Sequence, residues 1–259
     1  MRRYGFKLFS DNLKNNRKLL EDGIEFVKKQ GDKMFVELMI CHSTFEDIDN
    51  LKTMLVGTEV RIHAPHRGLG FDAGRKDWEK SNRELLAPAQ YEADVTGAKT
   101  IVVHAGRGEA KDCLMETVRQ FKLFDDKRIV VENLPMHAHG EISHGIVPEE
   151  IKIIREETGC GFCFDFSHAV CTAFALGCPA EKLLEGFYAL NPTVYHLCDG
   201  NLDDEEDNHM HFGEGKFPLK RWLSDYVSAD AYVTMETGHG CPADILPWVR
   251  DYEYIRKIG

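Results

Sequence analysis

The chain has 259 residues, 43% hydrophobic and 29% charged, with a formal net charge of −11. It is long enough to bury one large core and has the composition of an ordinary soluble globule. No apolar run approaches the roughly 18 residues of a membrane span, and the acidic balance argues against a protein that coats nucleic acid by charge alone. The N-terminus, MRRYGFKLFSDNLKNN, lacks the apolar stretch of a secretory signal, so we expect mature sequence there. Eight cysteines without an export signal then point to a reducing cytoplasm. Cys160 and Cys163 have redox-motif spacing but lie in the apolar run GCGFCFDF, where structural thiols are expected.

Short apolar runs alternate with longer amphipathic stretches. Tyr4 to Phe9 opens the series, and Asn12 to Gln30 follows at near-helical spacing. Met34 to Met39 is the second run, with Glu37 inside it, and Phe45 to Leu55 the next helix. Glu59 to His63 leads through the loop HRGLGFDAGRKD to a helix over Trp78 to Gly97. Thr100 to His104 precedes a helix over Ala110 to Leu123, and Arg128 to Glu132 precedes the long loop NLPMHAHGEISHG. His137, His139 and His144 lie in that loop, which we expect to be a surface lid. Pro148 and Gly159 frame the next helix. Gly161 to Asp165, Val194 to Leu197 and Tyr232 to Glu236 complete eight runs, with helices over Ala180 to Leu190, Pro218 to Val227 and Ala243 to Ile258. Continuous apolar strands separated by helices imply a parallel sheet with a covered outer face. Eight such units in one chain of this length imply a single-domain (β/α)8 TIM barrel over residues 1–259. An open doubly wound sheet is the alternative, but SDNLKNN after the first run is no phosphate-binding turn.

Active sites of parallel barrels gather at the strand C-termini. The later runs end in His63, His104, Glu132, Asp165, His196 and Glu236. Each alone has an ordinary explanation, such as a histidine bonded to a backbone carbonyl. Together they place three carboxylates at one mouth, where a cation is the natural neutraliser. His168 stands three residues past Asp165, and Asp207 and His209 form an i, i+2 pair able to point the same way. Imidazoles and carboxylates this close suit borderline divalent metals.

These residues resemble the endonuclease IV and xylose isomerase-like superfamily of metal-dependent TIM barrels, also called AP endonuclease family 2. The likeness runs over nearly the whole chain. It is strongest at VHAG, VEN, FDFSHA, YHLCDG, DNHMHFGEG and METG. It implies two or three divalent ions, zinc first, with manganese or magnesium as alternatives. Glu132, Asp165, His196 and Glu236 match one complete site, and His168, Asp207 and His209 a second. His104 and a shared Glu132 match a third, which in the family takes one more histidine from the loop after the third strand. Here that region reads GLGFDAG and has none, so His66, or after it His63, is the expected substitute.

Two chemistries follow. A pair of ions suits phosphoester hydrolysis, of abasic DNA as in endonuclease IV or of a smaller substrate such as a sugar phosphate. A single ion suits sugar or sugar-phosphate isomerisation or epimerisation, with Glu132 and Glu236 as the acid–base pair. The second site favours hydrolysis, because an isomerase has no task for it. Arg67, Arg75, Lys76, Arg107 and Lys216 are expected near the mouth, where they suit one phosphate better than a duplex. His211 is a further candidate ligand, and the backbone around Gly213 to Gly215 a candidate phosphate cradle. A non-catalytic metal-binding barrel is the third class, opposed by the presence of both Asp165 and Glu236.

Overall fold

Eight parallel strands close on themselves: β1 (Arg3–Phe9), β2 (Met34–Met39), β3 (Val60–His63), β4 (Ile101–His104), β5 (Ile129–Glu132), β6 (Gly161–Asp165), β7 (Val194–Leu197) and β8 (Tyr232–Met235). Each pairs with the next, and β8 pairs back onto β1. The computed structural model describes residues 2–108, 111–138, 140–238 and 242–259. This is the (β/α)8 TIM barrel expected from the alternating runs.

Side chains on a strand alternate between the barrel interior and the helical shell. On β4 to β7 the outward set, including Val103, Val131, Phe162, Phe164, Tyr195 and Leu197, joins the main core. The inward set, Val102, Val130, Cys163 and Val194, forms a small cluster of its own. Two positions further along each of these strands, on the same face, stand His104, Glu132, Asp165 and His196. The strand period alone therefore delivers them to the open end. At the opposite end the Arg61 guanidinium lies 3.3 Å over the Tyr232 ring. Phe35 fills the space that a Cβ on Gly5 would need, so the interior is plugged there.

The shell consists of α1 (Asn12–Asn15), α2 (Arg17–Gln30), α3 (Phe45–Leu55), α4 (Glu79–Thr96), α5 (Lys111–Phe124), α6 (Pro148–Thr158), α7 (Phe166–Ala175), α8 (Ala180–Tyr188), α9 (Leu219–Tyr226) and α10 (Leu246–Ile258). Thr44 and Asp47 form a reciprocal capping box at the start of α3. Gly159 ends α6 at φ 74°, in the left-handed region where glycine carries no Cβ penalty. The Asn12 to Gln30 stretch is broken at Asn16, whose side chain caps α2.

Where helix α7 lies, the sequence leads us to expect only a loop or a first helical turn carrying His168. Phe166 to Ala173 are all buried, so FSHAVCTA shows no polar stripe to reveal a helical period. The expected lid contains a two-stranded antiparallel hairpin, His137–Ala138 with Glu141–Ile142, linked to the preceding loop through a bridge between Arg107 and Ser143. Ala110 and His139, which the expected helix and lid include, lie outside the described residues. Among the described residues no helix is long and apolar enough to cross a membrane.

Candidate metal centre

The strand ends build a first group of ligand-type side chains. One donor atom each from Glu132, Asp165, His196 and Glu236 lies within 4.8 Å of every other. His196 is its hub: Nδ1 is 3.0 Å from Glu132 Oε1 and 2.8 Å from Glu236 Oε2. Its Nε2 is 3.0 Å from Glu37 Oε2. One N–H on Nδ1 can serve one carboxylate, and Glu236 Oε2 is left buried without a hydrogen-bond partner among the described residues. Glu37 reaches in from β2 and accepts from Thr234 Oγ1 at 2.6 Å, and the Lys7 ammonium on β1 pairs with Glu236 Oε1.

Neither Lys7 nor Glu37 was assigned a role from sequence. Each is a lone charge inside an apolar strand run, YGFKLF and MFVELM, at the parity of the inward residues. That placement was the available signal.

A second group adjoins the first. Asp207 Oδ2 is 3.0 Å from His168 Nε2 and 2.8 Å from His209 Nε2. The far nitrogen of each ring is fixed on a backbone carbonyl, His168 Nδ1 on Asn133 O and His209 Nδ1 on Glu236 O, both at 2.8 Å. Such contacts set the tautomer and aim the other nitrogen, as they do in histidines that bind metal. Asn133 is clamped in turn, exchanging hydrogen bonds with the Asp165 backbone at 2.8 Å in both directions. His209 holds φ 42°, an uncommon backbone state for a non-glycine residue.

A third group is His63, His104 and Glu132. His63 Nε2 and His104 Nε2 lie 3.2 and 3.1 Å from the same Glu132 oxygen, Oε2. His63 takes this place instead of His66. The His66 ring stacks on His104 and its Nδ1 accepts from Gly68 N, so it lines the mouth beside the group.

Electrostatics follow the crowding. Burial opposes ionisation of Glu132, but His196 and His104 outweigh it and hold the carboxyl well below the usual carboxylate range. Burial raises Asp165 to about 6. Burial disfavours the imidazolium of His104, whose pKa falls to about 4. At His168 burial is outweighed by Asp165 and Asp207, which raise it to about 10. At His209 Asp207 overcomes burial and raises it to about 9. Protons on histidines thus stand where a cation would stand: five carboxylates, those of Glu37, Glu132, Asp165, Asp207 and Glu236, share one buried region. The donor set fits borderline divalent ions, and His104 Nδ1, Glu37 Oε1 and Glu236 Oε2 are buried polar atoms without hydrogen-bond partners among the described residues.

The family model of the xylose isomerase-like TIM barrel matches residues 8–258. The chain belongs to the xylose isomerase-like TIM barrel family. A curated relative, the probable endonuclease 4 of Mycobacterium ulcerans (strain Agy99), is 24% identical over 218 residues, covering 80% of this chain and 82% of its own. Among solved structures, a D-tagatose 3-epimerase-like protein aligns with TM-score 0.71 at 19% identity, covering 98% of this chain and 96% of its own. Endonuclease IV from Thermus thermophilus aligns with TM-score 0.67 at 20% identity, covering 99% of this chain and 98% of its own. This xylose isomerase-like barrel thus shares its fold with proteins named for hydrolysis and for epimerisation.

Several expected positions need correction. His211 joins none of the three groups among the described residues: its Nδ1 lies 2.7 Å from Asp251 Oδ2, which also takes the Thr237 hydroxyl. Arg67 is held by two bonds to Glu141, at 2.8 and 3.0 Å, and lies over the Trp78 ring. Lys216 is exposed on the closing loop and does not line the mouth, whose cations include Lys7 and Arg107. The backbone near Gly213 to Gly215 is no phosphate cradle. Asp199 already accepts from Gly213 N at 2.8 Å and Phe217 N at 3.1 Å, and Gly200 O from Lys216 N at 2.7 Å. A Cβ on Gly215 would strike Asp199 Oδ1 and the Gly200 backbone. The Asp-Gly and Gly-Glu-Gly signatures of this xylose isomerase-like chain therefore close the loop that carries Asp207 and His209. Their role is structural.

Proposed function

We propose that this chain is a divalent-metal-dependent phosphoester hydrolase of the endonuclease IV type, working with at least two ions, zinc first. Glu132, Asp165, His196 and Glu236 would hold one ion and His168, Asp207 and His209 another. His63, His104 and Glu132 offer a third place. The observation that carries the reading is Asp207, whose Oδ2 is shared by two imidazoles that are each aimed by a backbone carbonyl. A one-ion isomerase has no use for that arrangement. Bound divalent ions supply Lewis-acid polarisation of a phosphate and offset the charge on attacking and leaving oxygens.

The chain's own residues set the rest. Glu132 is held by His63, His104 and His196, so its task is positional. Glu236 lines the mouth, and although burial opposes its ionisation, Lys7 and His196 outweigh it and hold the carboxyl well below the usual carboxylate range, so it stays an anion suited to a cation. The cavity of about 860 Å³ is lined by Arg107, His66 and His137, and also by Glu205 and Glu206. The two rim glutamates repel a polyanionic duplex. A small phosphoester, such as a sugar phosphate, therefore fits better than abasic DNA.

Sugar isomerisation or epimerisation is the second reading. It is favoured by the compactness of the first group, which offers four donors for a single ion and brings Glu132 and Glu236 to the same nitrogen of His196, Nδ1. Asp207→Ala separates the two. For a hydrolase it lowers bound metal by about one ion and abolishes phosphoesterase activity. If the change leaves catalysis on ketose phosphates or ketoses intact while phosphoesters were never cleaved, the isomerase reading replaces it. Metal content of untagged protein and assays on phosphomonoesters, abasic duplex and ketose phosphates give the readouts.

A further inference from the structure

Cys198 follows β7 two residues after His196 and so has the same inward parity. It is 1% exposed. Its Sγ lies 3.9 Å from Asp207 Oδ1, on the opposite carboxylate oxygen from the one shared by His168 and His209. Donor atoms of Cys198, Asp207 and His209 lie within 4.8 Å of one another. In a four-coordinate zinc site with bonds of about 2.0–2.3 Å, neighbouring donors stand about 3.3–3.8 Å apart. Shifts of around an ångström in these side chains bring the thiol into that range.

We propose that Cys198 is a ligand of the second ion, completing a set of one thiolate, one carboxylate and two imidazoles. The proposal rests on the two-ion reading above and adds a donor to it. A hard oxygen-rich site takes magnesium or manganese, whereas a thiolate selects zinc and cobalt(II). Binding converts the thiol to a metal-bound thiolate and releases its proton to solvent, with no change in oxidation state. Cys163, another cysteine near the centre, groups with Glu132 and His196 among the inward-facing strand residues. It is the internal control.

Untagged protein is stripped with a chelator and titrated with cobalt(II) chloride alone, following cobalt per chain and the near-ultraviolet spectrum. The expected result is at least two cobalt ions per chain and a sulfur-to-cobalt charge-transfer band. The band is lost in Cys198→Ser and retained in Cys163→Ser. Affinity for the second ion drops at least about 10-fold in Cys198→Ser. Two or more ions with no such band, or a band that survives Cys198→Ser, overturns the ligand assignment and leaves the two-ion reading standing. Fewer than two ions in the wild type overturns the two-ion reading itself. Circular dichroism checks the fold of each variant. Should Cys198→Ser not fold, Cys198→Ala and the wild-type cadmium spectrum, with its own thiolate band, decide the same question.

Discussion

Glu37 and His196 meet across the barrel from β2 and β7, with Oε2 3.0 Å from Nε2. Thr234 Oγ1 holds the same oxygen at 2.6 Å. With Nε2 engaged, His196 turns Nδ1 toward Glu132 and Glu236, where the first ion is proposed to bind. Partners of this kind fix a ligand's tautomer, and their loss typically costs 10–100-fold in metal affinity. Glu37→Gln keeps the volume and removes the charge. Zinc affinity of the first site should fall by about 10-fold or more, read by competition with a chromophoric chelator. An affinity unchanged within about twofold would falsify the role given to Glu37.

Gly215 has no room for a side chain: its Cβ would stand 2.5 Å from both Gly200 N and Gly200 O. These are backbone atoms and cannot step aside. Gly215→Ala should destabilise the fold by about 1–3 kcal/mol and displace the loop bearing Asp207 and His209. The specific expectation is selective. Metal analysis should show the second ion lost while the first, held by strand ends, is kept. Loss of both ions together, or of neither, contradicts a purely local role for this loop.

The barrel was legible because its strands are buried on both faces and its helices are amphipathic, so the two periods separate cleanly along the chain. The strand-end ligand candidates were legible for the same reason: a polar residue closing an apolar run has one place to go. What escaped was of two kinds. Helix α7 is buried on all sides from Phe166 to Ala173, so hydrophobicity alone could not distinguish it from a loop or strand. Pairings between distant side chains also escaped, since they depend on which way a loop turns. Nothing local to His211 says that Asp251 will take it, and nothing local to Arg67 says that Glu141 will. The choice of His63 over His66 belongs to the same class. His63 still lies on the strand, whereas His66 has passed into the loop and caps Gly68.

Glu92 supplies a pH dependence remote from the centre. It is fully buried in α4, and both carboxyl oxygens lack hydrogen-bond partners among the described residues. Burial, with Asp49 nearby, raises its pKa from 4.5 to about 8. The folded state therefore binds this proton more tightly than the unfolded state. Its contribution to stability is complete below the unfolded value and is lost as pH rises through the folded one, between about 4.5 and about 8. The loss is on the order of a few kcal/mol. Glu92→Gln should flatten the profile: little gain at the acid end, a clear gain in denaturant midpoint at the alkaline end. Parallel wild-type and variant curves across that range would show that the carboxyl titrates normally.

Lys7 neutralises part of the carboxylate cluster whether or not metal is present. It is 8% exposed and pairs with Glu236 Oε1. Burial disfavours its ammonium, but Glu236, Glu37 and Glu132 outweigh burial and hold its pKa above the ordinary lysine value. Removing one partner of a buried pair typically costs about 3–5 kcal/mol, because the other charge is left uncompensated. Lys7→Met should impose that cost on chelator-treated protein. Divalent ions offset the same carboxylates, so zinc-loaded protein should lose less. The measurement is the difference in Tm between wild type and variant, taken once without metal and once with zinc. The metal-free difference should be the larger. If the two are equal, Lys7 and the proposed ions do not share the Glu236 charge, and the first group is held together without a cation between its carboxylates.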